Sequence, residues 1–242
     1  MNNYPIDIVI PIYNEGEKII ELINLIEKNV KINHRILLCY DDKSDSIFQF
    51  KDRLSNFKSE IKLVQNPEQG PCSAVKAGLY YGESESVIVY PADDFINYNI
   101  IDKMYEAFKL GNDVVVASRF MKGGSMVGCP IIKSILVRFA STTLYLFSSI
   151  PVKDASNGFR LFSRKLINTV KIESRLGFAY SLELLAKCNR LGFGIKEIPA
   201  QWEERSEGSS RFKILKWLPD YLKWYFYGLE TTWFRKKYVR NK

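Results

Sequence analysis

Apolar residues in the first half of the chain form short β-branched runs that alternate with longer runs of helical spacing. The short runs predict buried strands at residues 6–12, 35–40, 61–65, 87–90 and 114–117. Between them, the apolar face of 19–26 and the small residues of 70–81 predict helices. Asn14, with Glu17 three residues later, predicts a capping box. Strands that alternate with helices predict an α/β fold with a mostly parallel sheet flanked by helices.

The alternation ends near residue 125. Beyond it, residues 131–150 and 181–191 predict helices, and residues 193–200 predict a strand. The final stretch is aromatic and basic, with apolar residues at steps of three or four, which predicts a C-terminal amphipathic helix. These residues are Leu215, Leu218, Leu222, Tyr225, Leu229 and Trp233. We therefore expect one domain over residues 1–207 and an amphipathic tail over residues 208–242.

Positive charge is concentrated in that tail. Residues 208–242 hold nine lysines and arginines against Asp220 and Glu230, a net +7 of the chain's +8. A basic, aromatic helix is typical of one that lies among lipid headgroups, and each cation near an anionic leaflet adds about 1 kcal/mol. The alternatives are a helix packed on the domain or an oligomer interface.

Targeting and redox signals in the sequence further limit the classes of protein to which this chain can belong. No basic region precedes the first apolar run, and no run approaches the roughly 20 apolar residues of a membrane span. We expect a cytoplasmic protein that is peripheral on the cytoplasmic face of the membrane. The four cysteines form no CxxC pair, which favours buried structural thiols, and the single histidine argues against a histidine-based zinc site or a Ser-His-Asp triad. The first strand is followed by no Gly-x-Gly-x-x-Gly, which disfavours a dinucleotide oxidoreductase.

Two acidic pairs directly follow predicted strands: Asp41-Asp42 and Asp93-Asp94. Both would lie at the carboxyl edge of a parallel sheet, where ligands bind. Two adjacent carboxylates suit Mg²⁺ or Mn²⁺ on a diphosphate, although Asp93 or Asp94 would equally cap a helix near Asn97. Taken alone, the pair Asp41-Asp42 favours an acidic cap after the strand. The alternative is that one of these carboxylates accepts hydrogen bonds from a nucleobase or from ribose hydroxyls.

The order and spacing of several motifs carry more information than any one of them. They are DIVIPIYNE at 7–15, DDKS at 41–44, PADD at 91–94, ASRFMKGG at 117–124, DASNGFR at 154–160 and RSEGSS at 205–210. With these motifs, residues 5–213 resemble the family 2 inverting glycosyltransferases of the GT-A (Rossmann-like) fold. Within that family the chain is similar to dolichyl-phosphate mannose synthases and bacterial polyprenyl-phosphate glycosyltransferases.

The resemblance implies a role for each matched residue. The nucleotide pocket would comprise Pro11, Tyr13, Glu15, Asp41, Asp42 and Gly70. The metal and diphosphate would be held by Asp93 and Asp94, and the acceptor phosphate by Arg119, Arg205, Lys133 and Asn157. Arg160 would lie with Asn157 on the acceptor side of the sugar. Pro91 stands where the family's metal motif has its first aspartate, so one metal ligand is absent or replaced.

A phosphate acceptor suits this set of residues chemically. A phosphate monoester is already anionic at neutral pH, so it needs positioning and charge compensation, which arginine supplies through bidentate contacts. We therefore predict transfer of a hexose from a GDP- or UDP-linked sugar to a polyprenyl or dolichyl phosphate at a membrane surface, with no nucleic-acid partner. For each arginine the alternative is a surface ion pair with a nearby glutamate.

Two rival functions remain. The first is an enzyme of the same fold with a saccharide hydroxyl acceptor, which would need Glu183 as a general base. The second is a basic membrane- or nucleic-acid-binding module without catalysis, in which the aromatic residues of the tail would stack on bases.

Overall fold

A seven-stranded sheet lies at the centre of the protein, whose computed structural model describes residues 4–203 and 214–233. Its strands are β1 (Ile6–Pro11), β2 (His34–Tyr40), β3 (Glu60–Gln65), β4 (Ser86–Val89), β5 (Asn112–Ser118), β7 (Arg160–Ser163) and β8 (Gly194–Pro199). The spatial order is β3-β2-β1-β4-β7-β5-β8. All neighbours pair in parallel except β7, which runs antiparallel between β4 and β5. The short strands β6 (Ser125–Val127) and β9 (Gln201–Glu203) form a separate parallel pair.

Helices cover both faces of the sheet. They are α1 (Glu17–Asn29), α2 (Lys51–Leu54), α3 (Pro71–Tyr81), α4 (Ile101–Lys109), α5 (Ile131–Phe147), α6 (Arg164–Thr169), α7 (Ala179–Leu191) and α8 (Ile214–Trp233). Side chains alternate along a strand, so Ile8 and Ile10 join one core with α1 and α4, while Val9 joins the other with α3 and α7. The central strands are therefore apolar on both faces, which explains their β-branched runs.

The predicted strands are all present, with bounds that shift by at most two residues. The predicted helices over 70–81, 131–150 and 181–191 correspond to α3, α5 and α7, and α5 ends earlier, at Phe147. Among the cysteines, Cys39, Cys72 and Cys188 are buried, and burial raises the pKa of each thiol, as expected for structural cysteines. The α/β fold class is thus confirmed.

The capping box at Asn14 is wrong. The residue before α1 is Gly16, and no side chain caps the helix. Asn14 instead adopts a φ of +54°, which asparagine tolerates better than most residues, and its side chain accepts a hydrogen bond from the N–H of Ser46 at 3.1 Å. The N–H of Asn14 donates to Asp45 at 2.8 Å, so the loop after β2 fixes the approach to α1.

The C-terminal helix is present and packs on the domain through one face. Trp224 is almost fully buried, and a Cβ on Gly228 would lie only 3.2 Å from Leu144 and 3.4 Å from Ile150. The carboxylate of Asp220 accepts the main-chain N–H groups ahead of α7. The expected boundary between residues 207 and 208 lies outside the described residues.

Candidate active site

The carboxyl ends of the parallel strands meet at one edge of the sheet, where ligands bind in open α/β folds. Asp41 follows β2 and Asp93 follows β4, and β1 lies between these strands. Neighbouring strands are about 4.8 Å apart, so the two strand ends are separated by roughly 10 Å. Arg119 follows β5 at the same edge, because β4 and β5 both pair antiparallel with β7. The structure thus brings the two acidic pairs and Arg119 to one edge.

Asp41 links the end of β2 to the start of α3. Its carboxylate accepts hydrogen bonds from the N–H of Gly70 at 3.1 Å and from Asn66 Nδ2 at 2.7 Å. Gly70 has a φ of +102° immediately before Pro71, the first residue of α3, and this left-handed backbone favours glycine. Asp41 therefore positions the amino end of α3 at the sheet edge.

Asp42 is exposed and holds a local turn. It accepts hydrogen bonds from the hydroxyl and, at 2.7 Å, the N–H of Ser44, and both lower the pKa of Asp42. Asp42 thus stabilises a turn, and the side-chain cap of the following 3-10 helix Ser46–Phe50 comes from Asp45 instead. The remaining predicted nucleotide residues lie around the end of β1: Pro11 is its last residue, Tyr13 is 52% exposed, and Glu15 is half-buried before α1.

The two residues of the second acidic pair differ in environment. Asp94 Oδ1 accepts the N–H groups of Ile96 at 3.0 Å and Asn97 at 2.8 Å, and Oδ2 accepts Asn97 Nδ2 at 2.7 Å. Burial raises the pKa of Asp94, and the hydrogen bonds from Asn97 offset this only in part. Asp94 thus holds the main chain at the start of the short 3-10 helix Asn97–Ile100, whose N-cap residue is Ile96, and Asp93 is the exposed carboxylate of the pair.

Asn97 also fixes this loop to β9, a role that the sequence did not reveal. Its Nδ2 donates to the carbonyl of Gln201 at 2.7 Å, and its Oδ1 accepts the N–H of Gln201 at 2.9 Å. Asn97 is buried, so this reciprocal pair is shielded from water. A single asparagine three residues after an aspartate predicts a turn, but it carries no signal for a partner 104 positions away.

Arg119 is held by Asp154. Its Nε donates to Oδ2 at 2.7 Å and its NH2 donates to Oδ1 at 2.9 Å, while NH2 also reaches Ser156 Oγ at 2.7 Å. Asp154 has no exposed surface. Burial alone would raise the pKa of Asp154, but the charge and hydrogen bonds of Arg119 outweigh it and hold the pKa below its ordinary value. The ion pair expected for Arg119 exists, but with a partner that the sequence had not suggested.

Arg160, which was predicted on the acceptor side of the sugar, is enclosed in this structure. It has no exposed surface, and its guanidinium donates to the carbonyls of Ser181 and, at 2.7 Å, Ala155. Burial lowers the pKa of Arg160 to about 10, and the nearby Asp154 opposes this shift. The half-buried Asn157 donates its Nδ2 to the carbonyl of Ala117 at 2.7 Å.

Glu183, which was predicted as the general base for a hydroxyl acceptor, is likewise enclosed in this structure. Its carboxylate accepts the N–H groups of Glu173 at 2.7 Å and Ser174 at 2.8 Å, and it pairs with Lys187 Nζ at 2.6 Å. Its side chain has no exposed surface, so an acceptor hydroxyl does not reach it in this structure. The spacing of four residues on a predicted helix is the one signal that pointed to the Lys187 pair.

Two predicted phosphate ligands remain. Lys133 lies in the first turn of α5, and its Nζ is 5.1 Å from the ring centre of Trp202. Arg205 lies outside the described residues. A groove of about 400 Å³ lies beside α5, and no motif had indicated it. Its lining residues are Phe120, Arg138, Thr142, Tyr145, Leu146 and Lys153.

The residues present fit a divalent cation only in part. Within residues 4–203 and 214–233 there is no cluster of three histidine, cysteine, aspartate or glutamate side chains. Mg²⁺ commonly uses one or two carboxylates together with substrate phosphates and water, so the exposed Asp93 meets the minimum requirement. No helix in the same residues is long and apolar enough to cross a bilayer.

Comparison with known proteins supports the resemblance seen in the motifs. The chain is 27% identical to a dolichol-phosphate mannosyltransferase of Pyrococcus furiosus, over 90% of this chain and 64% of that protein. It is 23% identical to a polyprenol monophosphomannose synthase of Mycolicibacterium smegmatis, over 87% of this chain and 85% of that protein. The chain thus spans slightly less than two thirds of the archaeal relative.

Solved structures support the fold. Glucosyl-3-phosphoglycerate synthase from Mycobacterium tuberculosis, in complex with Mn²⁺, UDP and phosphoglyceric acid, superposes with a TM-score of 0.65 at 16% identity. The match covers 92% of this chain and 79% of that one, and it confirms the GT-A architecture. The family model described as Glycosyl transferase family 2 matches residues 7–171, which include both acidic pairs and the Arg119–Asp154 contact. The chain therefore belongs to glycosyl transferase family 2.

Proposed function

We propose that this protein is an inverting glycosyltransferase that moves a hexose from a GDP- or UDP-linked sugar to a polyprenyl phosphate. The observation that carries the proposal is the division of the sheet edge into two halves. Carboxylates follow β2 and β4, whereas cations and an exposed apolar helix follow β5. The names of the archaeal and mycobacterial relatives support the same acceptor class.

The donor half suits a nucleoside diphosphate. Asp41 and Gly70 shape the loop ahead of α3, and Asp93 stands exposed two strands away. Solved relatives of this fold hold Mn²⁺ or Mg²⁺ with UDP, which supports a metal at Asp93 here. Such a cation would neutralise charge on the departing diphosphate. Pro91 supplies no carboxylate, so we expect this chain to rely on fewer protein ligands than an Asp-x-Asp site.

The acceptor half suits an anion that needs no general base. A phosphate oxygen would attack the anomeric carbon from the face opposite the leaving group, and the bond to the diphosphate would break with its electron pair on the nucleotide. The transition state would have oxocarbenium character, and the new bond would have inverted configuration. Glu183, the base required for a hydroxyl acceptor, is buried against Lys187, which favours the phosphate acceptor over the saccharide alternative.

The surface of α5 supports a membrane-bound acceptor. Its exposed apolar residues are Ile131, Ile132, Ile135, Leu136, Phe139, Tyr145, Leu146 and Phe147. On the neighbouring α8, Leu218, Leu222 and Phe226 are exposed opposite the packed Trp224 face. Cations on the same helices, Lys133, Arg138, Lys216 and Lys223, complement anionic headgroups. We therefore propose peripheral attachment of α5 and α8 to a lipid surface.

Calorimetric titration tests the donor half of the proposal. The protein is titrated with UDP, GDP and their sugars, with and without Mn²⁺. We expect one nucleotide class to bind and Mn²⁺ to strengthen its binding. The absence of binding by both nucleotides under both conditions would contradict the proposal.

A further inference from the structure

The groove beside α5 is chemically unlike the rest of that helix surface. It has a volume of about 400 Å³ and lies between the residue after Arg119, the outer face of α5 and the segment leading to β7. Arg138 and Lys153 provide its two cations, and both are exposed. The groove therefore adjoins the acceptor half of the sheet edge, although none of its residues belongs to the predicted phosphate set.

Within the part of the chain that the structure describes, the side chains of the two groove cations form no ion pair. Among the described residues, no carboxylate oxygen lies within 4.0 Å of the guanidinium group of Arg138 or of Lys153 Nζ, although Glu197 accepts the main-chain N–H of Lys153. The guanidinium of Arg138 lies 4.7 Å from the ring centre of Phe120, and its Nε approaches Ser134 Oγ at 3.4 Å. The charge of Arg119, by contrast, is already compensated by Asp154. The groove thus offers the better place for an anion.

The backbone that carries Lys153 is fixed on both sides. The N–H of Lys153 donates to Glu197 at 2.8 Å, and the next residue is the buried Asp154. Arg119 therefore acts on the groove indirectly, because it locks the residue beside Lys153. Because the backbone at Lys153 is already fixed, little backbone entropy is lost there when a ligand binds.

The remaining wall of the groove is apolar and leads to the apolar face of α5. Leu146 is 63% exposed and Tyr145 is 43% exposed, and Phe147 continues the surface beyond them. An anion held between Arg138 and Lys153 would have this surface beside it. The combination fits an amphiphile with a phosphate head and a hydrocarbon tail, rather than a free sugar or a nucleotide.

We propose that this groove binds the lipid phosphate acceptor, with Arg138 and Lys153 on the phosphate and Tyr145 and Leu146 against the first isoprene units. The proposal deepens the proposed function and rests on it for the reaction. It changes one expected role, since Arg119 becomes a positioning residue for Lys153 and not the principal phosphate ligand.

Binding of farnesyl phosphate, a short soluble polyprenyl phosphate, tests the groove without catalysis. The variant Arg138→Gln/Lys153→Met should bind it about tenfold or more weakly than the wild type, since two charged contacts are lost. Farnesol and inorganic phosphate should bind the wild type far more weakly than farnesyl phosphate, because each lacks one half of the amphiphile. Nucleotide affinity should not change.

The matched control is Arg190→Gln/Lys165→Met. These cations also lie over rings, at 4.4 Å from Tyr227 and 4.6 Å from Phe193, but Arg190 is in the last turn of α7 and Lys165 in the first turn of α6, at the opposite edge of the sheet. The control should bind farnesyl phosphate as the wild type does. Unchanged binding in the groove variant, or no preference of the wild type for farnesyl phosphate over farnesol, would overturn the proposal.

Different results would reject the groove proposal and the proposed function. Transfer to polyprenyl phosphate with an unchanged KM in the groove variant would reject the groove and leave the function intact. Groove-dependent binding of farnesyl phosphate by a wild type that transfers no sugar would support the groove and reject the function.

Discussion

Arg119 grips Asp154 through two parallel hydrogen bonds, 2.7 Å from Nε to Oδ2 and 2.9 Å from NH2 to Oδ1. The N–H groups of Arg119, Ser156 and Asn157 also donate to this carboxylate, so Asp154 ties the loop after β5 to the loop before β7. The pair lies at the acceptor half of the sheet edge. Its arrangement indicates that Arg119 builds the site by holding a loop in place.

Removing the charge of Asp154 should destabilise the protein. Asp154→Asn leaves Arg119 largely buried without its counter-charge, which typically costs about 3 kcal/mol or more. Urea unfolding measures the change in the free energy of unfolding. The exposed Asp52→Asn serves as the control, with an expected change of about 0.5 kcal/mol or less. A loss for Asp154→Asn no larger than that of the control would contradict the structural role.

The Arg119–Asp154 pair also predicts that the free energy of unfolding decreases at acid pH. The pKa of Asp154 is lower in the folded protein than its ordinary value near 4, so the pair contributes fully at higher pH. This contribution is lost as the pH falls below about 4 and through the folded-state pKa. Unfolding free energies of the wild type and Asp154→Asn, measured from pH 7 downward, should converge in this acid range. A difference that stays constant down to pH 2 would show that the pKa of Asp154 is the same in the folded and unfolded states, which would contradict the stabilising pair.

Asp93 and Asp94 should respond differently to substitution. Asp93→Asn should weaken nucleotide binding in Mn²⁺ and leave the metal-free affinity unchanged, because its exposed carboxylate is the proposed metal ligand. Asp94→Ala should lower the unfolding free energy by about 1 kcal/mol or more, since it removes the acceptor of the N–H groups of Ile96 and Asn97 at the start of the helix Asn97–Ile100. Titration calorimetry and urea unfolding separate the two effects. A purely structural effect of Asp93→Asn would exclude it as a metal ligand.

Glu183 should be a structural residue. Glu183→Gln leaves the buried ammonium group of Lys187 with only the more distant and partly exposed carboxylate of Glu173, at 3.9 Å, and should cost about 3 kcal/mol. The double variant Glu183→Gln/Lys187→Met removes both charges and should recover much of the lost stability. If the recovered protein also regains transferase activity, Glu183 is not a general base. A stable double variant without activity would instead revive the hydroxyl-acceptor alternative.

The exposed face of α5 should be needed for membrane attachment. Ile132→Ser/Phe139→Ser removes two side chains that are 74% and 65% exposed, so it should reduce flotation with anionic vesicles while the fold is kept. Leu110→Ser is the control, because Leu110 is 85% exposed but follows α4 at the opposite edge of the sheet. Equal flotation of both variants would place the lipid contact elsewhere.

The sequence predicted what depends on local periodicity. The β-branched runs located the strands, and the parallel alternation placed Asp41 and Asp93 at one edge, because side-chain alternation and crossover handedness follow from local geometry. The partners of the polar side chains were not predictable. Arg119 meets Asp154 across 35 residues, and that contact depends on β7 entering the sheet in the antiparallel direction. The sequence pattern carried no signal for that reversal.

The pattern of apolar and polar residues also did not predict which individual polar side chains are buried. Arg160 lies in the DASNGFR motif and Glu183 was the expected base for a hydroxyl acceptor, yet both are enclosed by the packing of β7 and α7. Arg138 and Lys153 match no motif, yet they line the groove because α5 lies against the segment before Asp154. Tertiary packing decides which polar side chains reach solvent. The pattern of residues along one sequence does not reveal that packing.

Transfer of labelled hexose to lipid tests the central claim most directly. The wild type is incubated with GDP- or UDP-linked sugars, Mn²⁺, and vesicles that contain either a polyprenyl phosphate or the matching polyprenol. The account predicts that label enters the lipid fraction with the phosphate acceptor alone, and that the anomeric configuration is inverted in the product. Label on the polyprenol or on a saccharide acceptor, with none on the polyprenyl phosphate, would contradict it.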